Sequence, residues 1–256
     1  MLPYFPQPSF RLGPFVVHAF GVMALIAVLT SGWIIVRRGR RMGFPAEDMF
    51  RFWFCMYVCA MLGAHLFRTM LDDFPAFLAD PTRAFRPMGI SSIGAGSIGF
   101  LGGFLWCRFR RLSLLDSLRL LDIVAYALPF AWVFGRLGCT LAHDHRGRAS
   151  MSWIAVNFPE GPRYDLGLIE FVLLIGMAIV FLIVDRQPHQ AGFFTGLAGV
   201  AYGGIRILVA AFTGEPTRFY GGAASVLIGL LIWTAMLVLQ RPDNDQFNRL
   251  APAKNG

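Results

Sequence analysis

The residues best suited to chemistry lie between Gly135 and Arg148, in Gly-Arg-Leu-Gly-Cys-Thr-Leu-Ala-His-Asp-His-Arg-Gly-Arg. Three arginines, two histidines, an aspartate and a cysteine follow directly on the apolar run Ile123 to Phe134, where a buried segment would meet water. Ionisable groups are costly at that depth, so their concentration points to a site more than to a solvated loop. His143 and His145 flank Asp144 and point the same way if the segment is extended. An acid beside two imidazoles suits a general base oriented by a carboxylate, or two ligands of a metal. A metal needs a third and a fourth ligand that this stretch does not supply in sequence, so neither a metal nor any other cofactor is expected. Cys139 lies near Arg136, and a neighbouring cation lowers a thiol pKa, which admits it as a nucleophile. The plainer role for a cysteine at a membrane boundary is that of a small apolar residue.

A further arginine, Arg206, stands inside the apolar run Gly192 to Phe212, in Tyr202-Gly203-Gly204-Ile205-Arg206, with no carboxylate in the same run. Facing lipid would cost several kcal/mol, so it must face a polar cavity or an anion. Together with Arg136 it can clamp one phosphate, because guanidinium forks match phosphate oxygens and stay charged when dehydrated. A structural ion pair with Glu170 is the alternative. His18 and His65, near the outer ends of their runs, suit hydrogen-bonded interior positions.

The elements that must hold these residues are membrane helices. The chain has 256 residues, 56% of them hydrophobic, too apolar for an average soluble domain. Seven apolar segments approach the roughly 20 residues needed to cross hydrocarbon. They run Phe15 to Val36, Phe52 to Leu71, Ile90 to Trp106, Leu115 to Phe134, Leu166 to Val184, Gly192 to Phe212 and Gly221 to Leu239. The expected fold is an all-α polytopic membrane bundle, residues 1–240, with outer loops at 72–89 and 135–165. The polar tail 241–256 is expected to be disordered and cytoplasmic. The third run is rich in glycine, which lets helices pack closely, and the fourth is interrupted by Arg119 and Asp122. Arg37 to Arg41, Arg108 to Arg111, Arg186 and Arg241 fall on one side of seven spans, and that side is expected to be cytoplasmic, with the N-terminus periplasmic. Arg83, Arg86, Arg136, Arg146, Arg148, Arg163 and Arg218 fall on the other side, where phosphate binding would account for them. The net charge of +8 sits in short clusters at the ends of apolar runs, which suits lipid headgroups and argues against nucleic acid. The four cysteines show no paired metal-ligand spacing and imply no disulfide framework.

Taken together, these residues resemble the bacterial prolipoprotein diacylglyceryl transferase family over roughly Gly13 to Phe219. The most specific part is the signature Gly-Arg-Ile-Gly-Asn-Phe-x-Asn-Gly-Glu-x-x-Gly-Arg, which Gly135, Arg136, Gly138, Cys139, Asp144, Gly147 and Arg148 follow without a gap. His18-Ala19-Phe20-Gly21 is similar to the family's Arg-Trp-Tyr-Gly, and Gly63-Ala64-His65 to its Gly-Ala-Arg. Asp122 to Pro129 and Arg163 to Glu170 resemble two further elements, and Tyr202 to Arg206 resembles Tyr-x-x-x-Arg. The resemblance implies a seven-helix inner-membrane enzyme with an outside N-terminus. Its two arginines, here Arg136 and Arg206, hold the phosphate of phosphatidylglycerol while the diacylglyceryl group moves to the cysteine thiol of a lipoprotein precursor, releasing glycerol phosphate.

The departures concern the proton. The family's third-span histidine falls at Ile93 or Gly94, its signature asparagine at Cys139, its first-span tyrosine at Phe20, and an acid beyond the second arginine at Ala210. The expected function is that lipid transfer, or one closely related, with His143 or His145 as the base and Asp144 orienting it, and with His18 and His65 in reserve. The alternative is a catalytically inactive relative that binds anionic phospholipid or lipoprotein precursors.

Overall fold

The computed structural model describes residues 1–71, 74–82, 91–213 and 216–239. Seven long helices form at the seven expected places: α1 (Ala19–Arg41), α2 (Ala46–Leu71), α4 (Ser92–Phe109), α5 (Leu114–Ala142), α6 (Leu166–Val184), α7 (Phe193–Thr213) and α8 (Pro216–Leu239). A short α3 (Phe74–Ala79) lies between α2 and α4, in the stretch expected to be a loop. All but α4 among the long helices are of a length and hydropathy that can cross a membrane. Arg83, Arg86 and the tail 241–256 lie outside the described residues.

The fold is not wholly helical. The first span was expected from Phe15, but Phe15–His18 is a strand, β3, paired with β2 (Ser9–Leu12) in an antiparallel hairpin. Its turn uses Gly13 at φ +61, a backbone conformation that a side chain would strain. The second outer connection also departs from a loop. It contains β4 (Arg146–Ala149), β5 (Val156–Phe158) and β6 (Gly161–Asp165), and these join β1 (Leu2–Pro3) in a sheet of order β1-β5-β6-β4. Within it β1 runs parallel to β5, and the other pairs are antiparallel.

At the centre of the bundle α5 packs against α1, α6 and α7. Ser113 starts it by accepting a hydrogen bond from the backbone N–H of Asp116, which satisfies one of the donors left open at a helix N-terminus. The helix has 29 residues, hence a length of about 43 Å, well beyond the roughly 30 Å of hydrocarbon. Gly135 to Ala142, expected in a loop, are its last two turns. The charges that interrupt the apolar run have structural partners. Asp122 is buried and accepts from the backbone N–H and the hydroxyl of Thr195, at 2.8 and 3.1 Å, which caps the first turn of α7. Arg119 pairs with Asp116 at 3.1 Å.

Arg38 reaches Asp185 with both terminal nitrogens, at 2.9 and 2.6 Å, and Arg110 meets Asp48 at 2.7 Å. These bridges gather the C-terminal ends of α1, α4 and α6 at one end of the bundle, together with the arginines expected to be cytoplasmic. The β4–β6 segment connects α5 to α6 at the opposite end. Cysteines introduced at Ser150 and Arg110 are therefore expected to react with an impermeant thiol reagent from opposite sides of the membrane. Labelling of both from one side would reject this orientation.

Candidate active site

The extra turns of α5 carry the site. Gly167, in the first turn of α6, has no room for a side chain, since a Cβ there would lie 3.0 Å from the backbone nitrogen of Thr140 and 3.1 Å from the carbonyl carbon of Cys139. The two backbones thus approach closely, and Glu170, three residues on and so on the same face of α6, is carried to Arg136. Gly138 plays the same part toward α1, with its Cβ position 3.2 Å from both Met23 and Phe20.

Arg136 and Arg206, about seventy residues apart in sequence, meet at one carboxylate. Arg136 Nε lies 2.6 Å from Glu170 Oε2, and Arg206 Nη1 lies 3.5 Å from Glu170 Oε1. Both partners considered for Arg206, the other arginine and Glu170, are therefore present in one cluster. The Glu170 side chain is 1% exposed, whereas those of Arg136 and Arg206 are 19% and 24% exposed, so the carboxylate is closed off while both arginine side chains stay partly open. The Oε2 contact is too bent to count as a hydrogen bond, and Oε2 has no other partner among the described residues. Charge more than direction holds Arg136, which leaves its fork free to aim at a ligand. Two cations and one anion leave the cluster at +1. Tyr202 packs its ring on Trp132, centroids 4.5 Å apart, one turn before Arg206 on α7.

The signature histidines separate. His143 caps α5 in the left-handed conformation, at φ 51 and ψ 37. Its Nδ1 donates to Asp165 Oδ2 at 2.6 Å, and its ring is enclosed by Tyr4, Phe5 and Phe158. Asp165 is fully buried, and its other oxygen caps α6 by accepting from the backbone N–H of Leu168 at 3.1 Å. The His143–Asp165 pair thus joins the end of α5 to the start of α6, and Asp144 orients the other ring. Asp165→Ala removes a helix cap, worth about 1 kcal/mol, and leaves the His143 ring buried without its acceptor, which costs about 1–3 kcal/mol more. A lower thermal unfolding temperature in detergent is expected, with Asp165→Asn intermediate. Unfolding at the parental temperature would show that the joint carries no stability.

His145 Nδ1 lies 2.5 Å from Asp144 Oδ1. That hydrogen bond, with a second that the ring donates to the Cys139 sulfur, pushes the imidazole up to about 9. A ring so placed is a cation at neutral pH, which departs from the expectation of a base poised near 7. On α5, Arg136 and Cys139 are one turn apart, and Arg136 Nη1 lies 3.8 Å from Cys139 Sγ. A continuous line of groups therefore runs from Glu170 through Arg136 and Cys139 to Asp144 and His145. Cys139, expected in the loop 135–165, is instead buried in the last turns of the helix.

The remaining residues frame this line. His18 precedes α1, is exposed, and lines a cavity of about 600 Å³ with Phe20, Gly21, Ala142 and Asp144. His65 is half-buried in α2, on another part of the bundle. Gly147 fits β4 against α7, since a Cβ would collide with the carbonyl oxygen of Phe212. Three of the arginines expected to bind phosphate have partners in the sheet. Arg146 pairs with Glu160 at 2.9 Å, Arg163 donates to the carbonyl of Gly147 at 3.3 Å, and Arg148 lies over the Tyr164 ring. Asp165 and the aromatic cage were not singled out as site residues; Asp165 does lie in the Arg163 to Glu170 element that carries part of the resemblance.

The family model for prolipoprotein diacylglyceryl transferase matches residues 7–240. The chain belongs to that family. Among curated relatives, proteins of Escherichia coli O1:K1 and of Shigella boydii serotype 18 are each 24% identical to it over 270 residues, covering 92% of this chain and 91% of theirs. Both are named phosphatidylglycerol–prolipoprotein diacylglyceryl transferase. In this member of the diacylglyceryl transferase family Arg136 and Arg206 meet at the buried Glu170, and Cys139, Asp144 and His145 lie beside them.

Proposed function

We propose that the chain transfers the diacylglyceryl group of phosphatidylglycerol to the cysteine thiol of a lipoprotein precursor, at the outer face of the bacterial inner membrane. The observation that carries this reading is the pairing of Arg136 and Arg206, two partly exposed arginine side chains, on one buried carboxylate. A cluster of charge +1 matches the single negative charge of a phosphodiester headgroup. As the glycerol carbon–oxygen bond breaks, charge builds on the departing phosphate, and two fixed guanidinium groups stabilise it more than they stabilise the bound lipid. The attacking thiol must lose its proton, and the Cys139, Asp144 and His145 group stands beside the clamp, where that thiol would be activated. An apolar cavity of about 570 Å³ between α1, α2, α4 and α5, lined by Trp53, Tyr57, Phe100 and Trp132, suits an acyl chain.

Purified protein in vesicles containing phosphatidylglycerol, given a peptide with a lipobox cysteine, is expected to release glycerol phosphate and to raise the peptide mass by one diacylglyceryl group. Replacement of the peptide cysteine by serine is expected to abolish both signals. Lipid binding without release in the intact system would favour the non-catalytic relative, consistent with Ile93 and Gly94 standing where the family has a histidine.

A further inference from the structure

The left-handed turn at His143 folds Asp144 and His145 back over the last turn of α5. One donor atom each from Cys139, Asp144 and His145 then lies within 4.8 Å of the other two. We propose that these three side chains hold one zinc-class divalent cation whose open coordination position takes the thiolate of the acceptor cysteine. This rests on the transferase reading above and deepens it by assigning the activation of the thiol.

The donor set carries the argument. A thiolate, an imidazole nitrogen and a carboxylate oxygen are the ligand types that zinc accepts, and three protein ligands with one open position is the pattern of a site that binds substrate, not of a closed structural one. Hard cations such as magnesium favour oxygen donors alone and suit this set less well. Asp144 Oδ1 and His145 Nδ1 already lie 2.5 Å apart, so an oxygen and a nitrogen donor are brought together at this point. Access is available, since Asp144 lines the cavity beside the N-terminal hairpin. Charge also balances. A doubly charged cation with one thiolate, one carboxylate and a neutral imidazole is neutral, and a second thiolate makes it −1 beside the Arg136 guanidinium, 3.8 Å from Cys139 Sγ.

A coordinated thiol is deprotonated outright, so the cation does the work of a base where the chain has Ile93 or Gly94 in place of the family histidine. On binding, the acceptor's S–H proton passes to solvent. The thiolate sulfur then forms a bond to the glycerol carbon, the carbon–oxygen bond to phosphate breaks, and its electron pair leaves with glycerol phosphate. Arg136 touches both Cys139 and Glu170 and so sets the thiol site directly beside the phosphate clamp.

The test uses the full chain in detergent, stripped with a chelator and titrated with cobalt as a spectroscopic probe. One equivalent of cobalt is expected to bind with a thiolate-to-metal charge-transfer absorption. Cys139→Ser is expected to lose that absorption, and Asp144→Asn, a change at an exposed side chain, to weaken cobalt binding at least tenfold with the fold intact. Cys59→Ser, on α2, is expected to keep the parental spectrum. Zinc added back to stripped protein should restore lipid transfer. An absent charge-transfer band in the parental protein, or one that survives in Cys139→Ser, would overturn the metal site. Metal-free protein that transfers lipid at the parental rate would also overturn it while the transferase reading stands. Stoichiometric cobalt binding through Cys139 with no transfer from phosphatidylglycerol would retain the metal site and refute that reading.

Discussion

Arg136→Ala is expected to lower lipid transfer by roughly 10²–10³, the range for losing one preorganised group that stabilises developing negative charge. The same change leaves the buried Glu170 facing Arg206 alone, at 3.5 Å, which is expected to cost about 3–5 kcal/mol of stability, as for other broken buried pairs. The two effects separate in the Arg136→Ala, Glu170→Gln double variant, in which no carboxylate is left uncompensated. Its unfolding temperature should recover toward the parental value while its transfer rate stays low. Arg136→Lys keeps the charge but not the planar fork, so it should rank between parental and alanine in glycerol phosphate release. Parental turnover in Arg136→Ala would refute the clamp.

His145→Gln is expected to reduce turnover by roughly 10²–10⁴, the range for losing a group that assists proton loss from a reacting nucleophile. Binding of phosphatidylglycerol should change little, because the phosphate is held by arginines on α5 and α7, and the ring of His145 is directed to Asp144. His143→Gln should behave differently. Its ring packs among Tyr4, Phe5 and Phe158 and holds Asp165, so the loss should appear first in thermal stability. Measuring transfer and unfolding for both variants distinguishes the two histidines. If His145→Gln transfers lipid at the parental rate, the thiol is activated elsewhere.

The helices were legible because hydrocarbon demands long apolar runs, and the convergence of Arg136 on Arg206 was legible because an arginine inside such a run needs a polar partner. Glu170 was visible as a possible partner, and its role as the shared anchor of both arginines emerged only from the packing of α6 on α5 at Gly167. The strands were not legible. Each has two to five residues, and β1 is only Leu2–Pro3, too short for an alternating pattern to stand out from its surroundings. The end of α5 was misplaced because charge and glycine from Gly135 onward look like a loop, although the helix simply outruns the hydrocarbon. The grouping of Cys139 with Asp144 and His145 depends on both that extension and the left-handed residue at position 143. The family signature has glycine there, which is the residue type that adopts such a conformation most readily.

The parallel pairing of β1 with β5 bears on how the protein is assembled. Leu2 donates its backbone N–H to the carbonyl of Ala155 at 2.8 Å, and more than 150 residues of chain separate the two partners. The β1 residues therefore cannot dock until α1, α2, α4 and α5 have been synthesised and the β5 strand has followed them. Tyr4 and Phe5, which enclose the His143 ring, arrive with that strand. Contacts of such long sequence separation form late because the loop must close before they repay it. β1 is thus a late piece in closing this end of the bundle, and the enzyme matures from its middle outward.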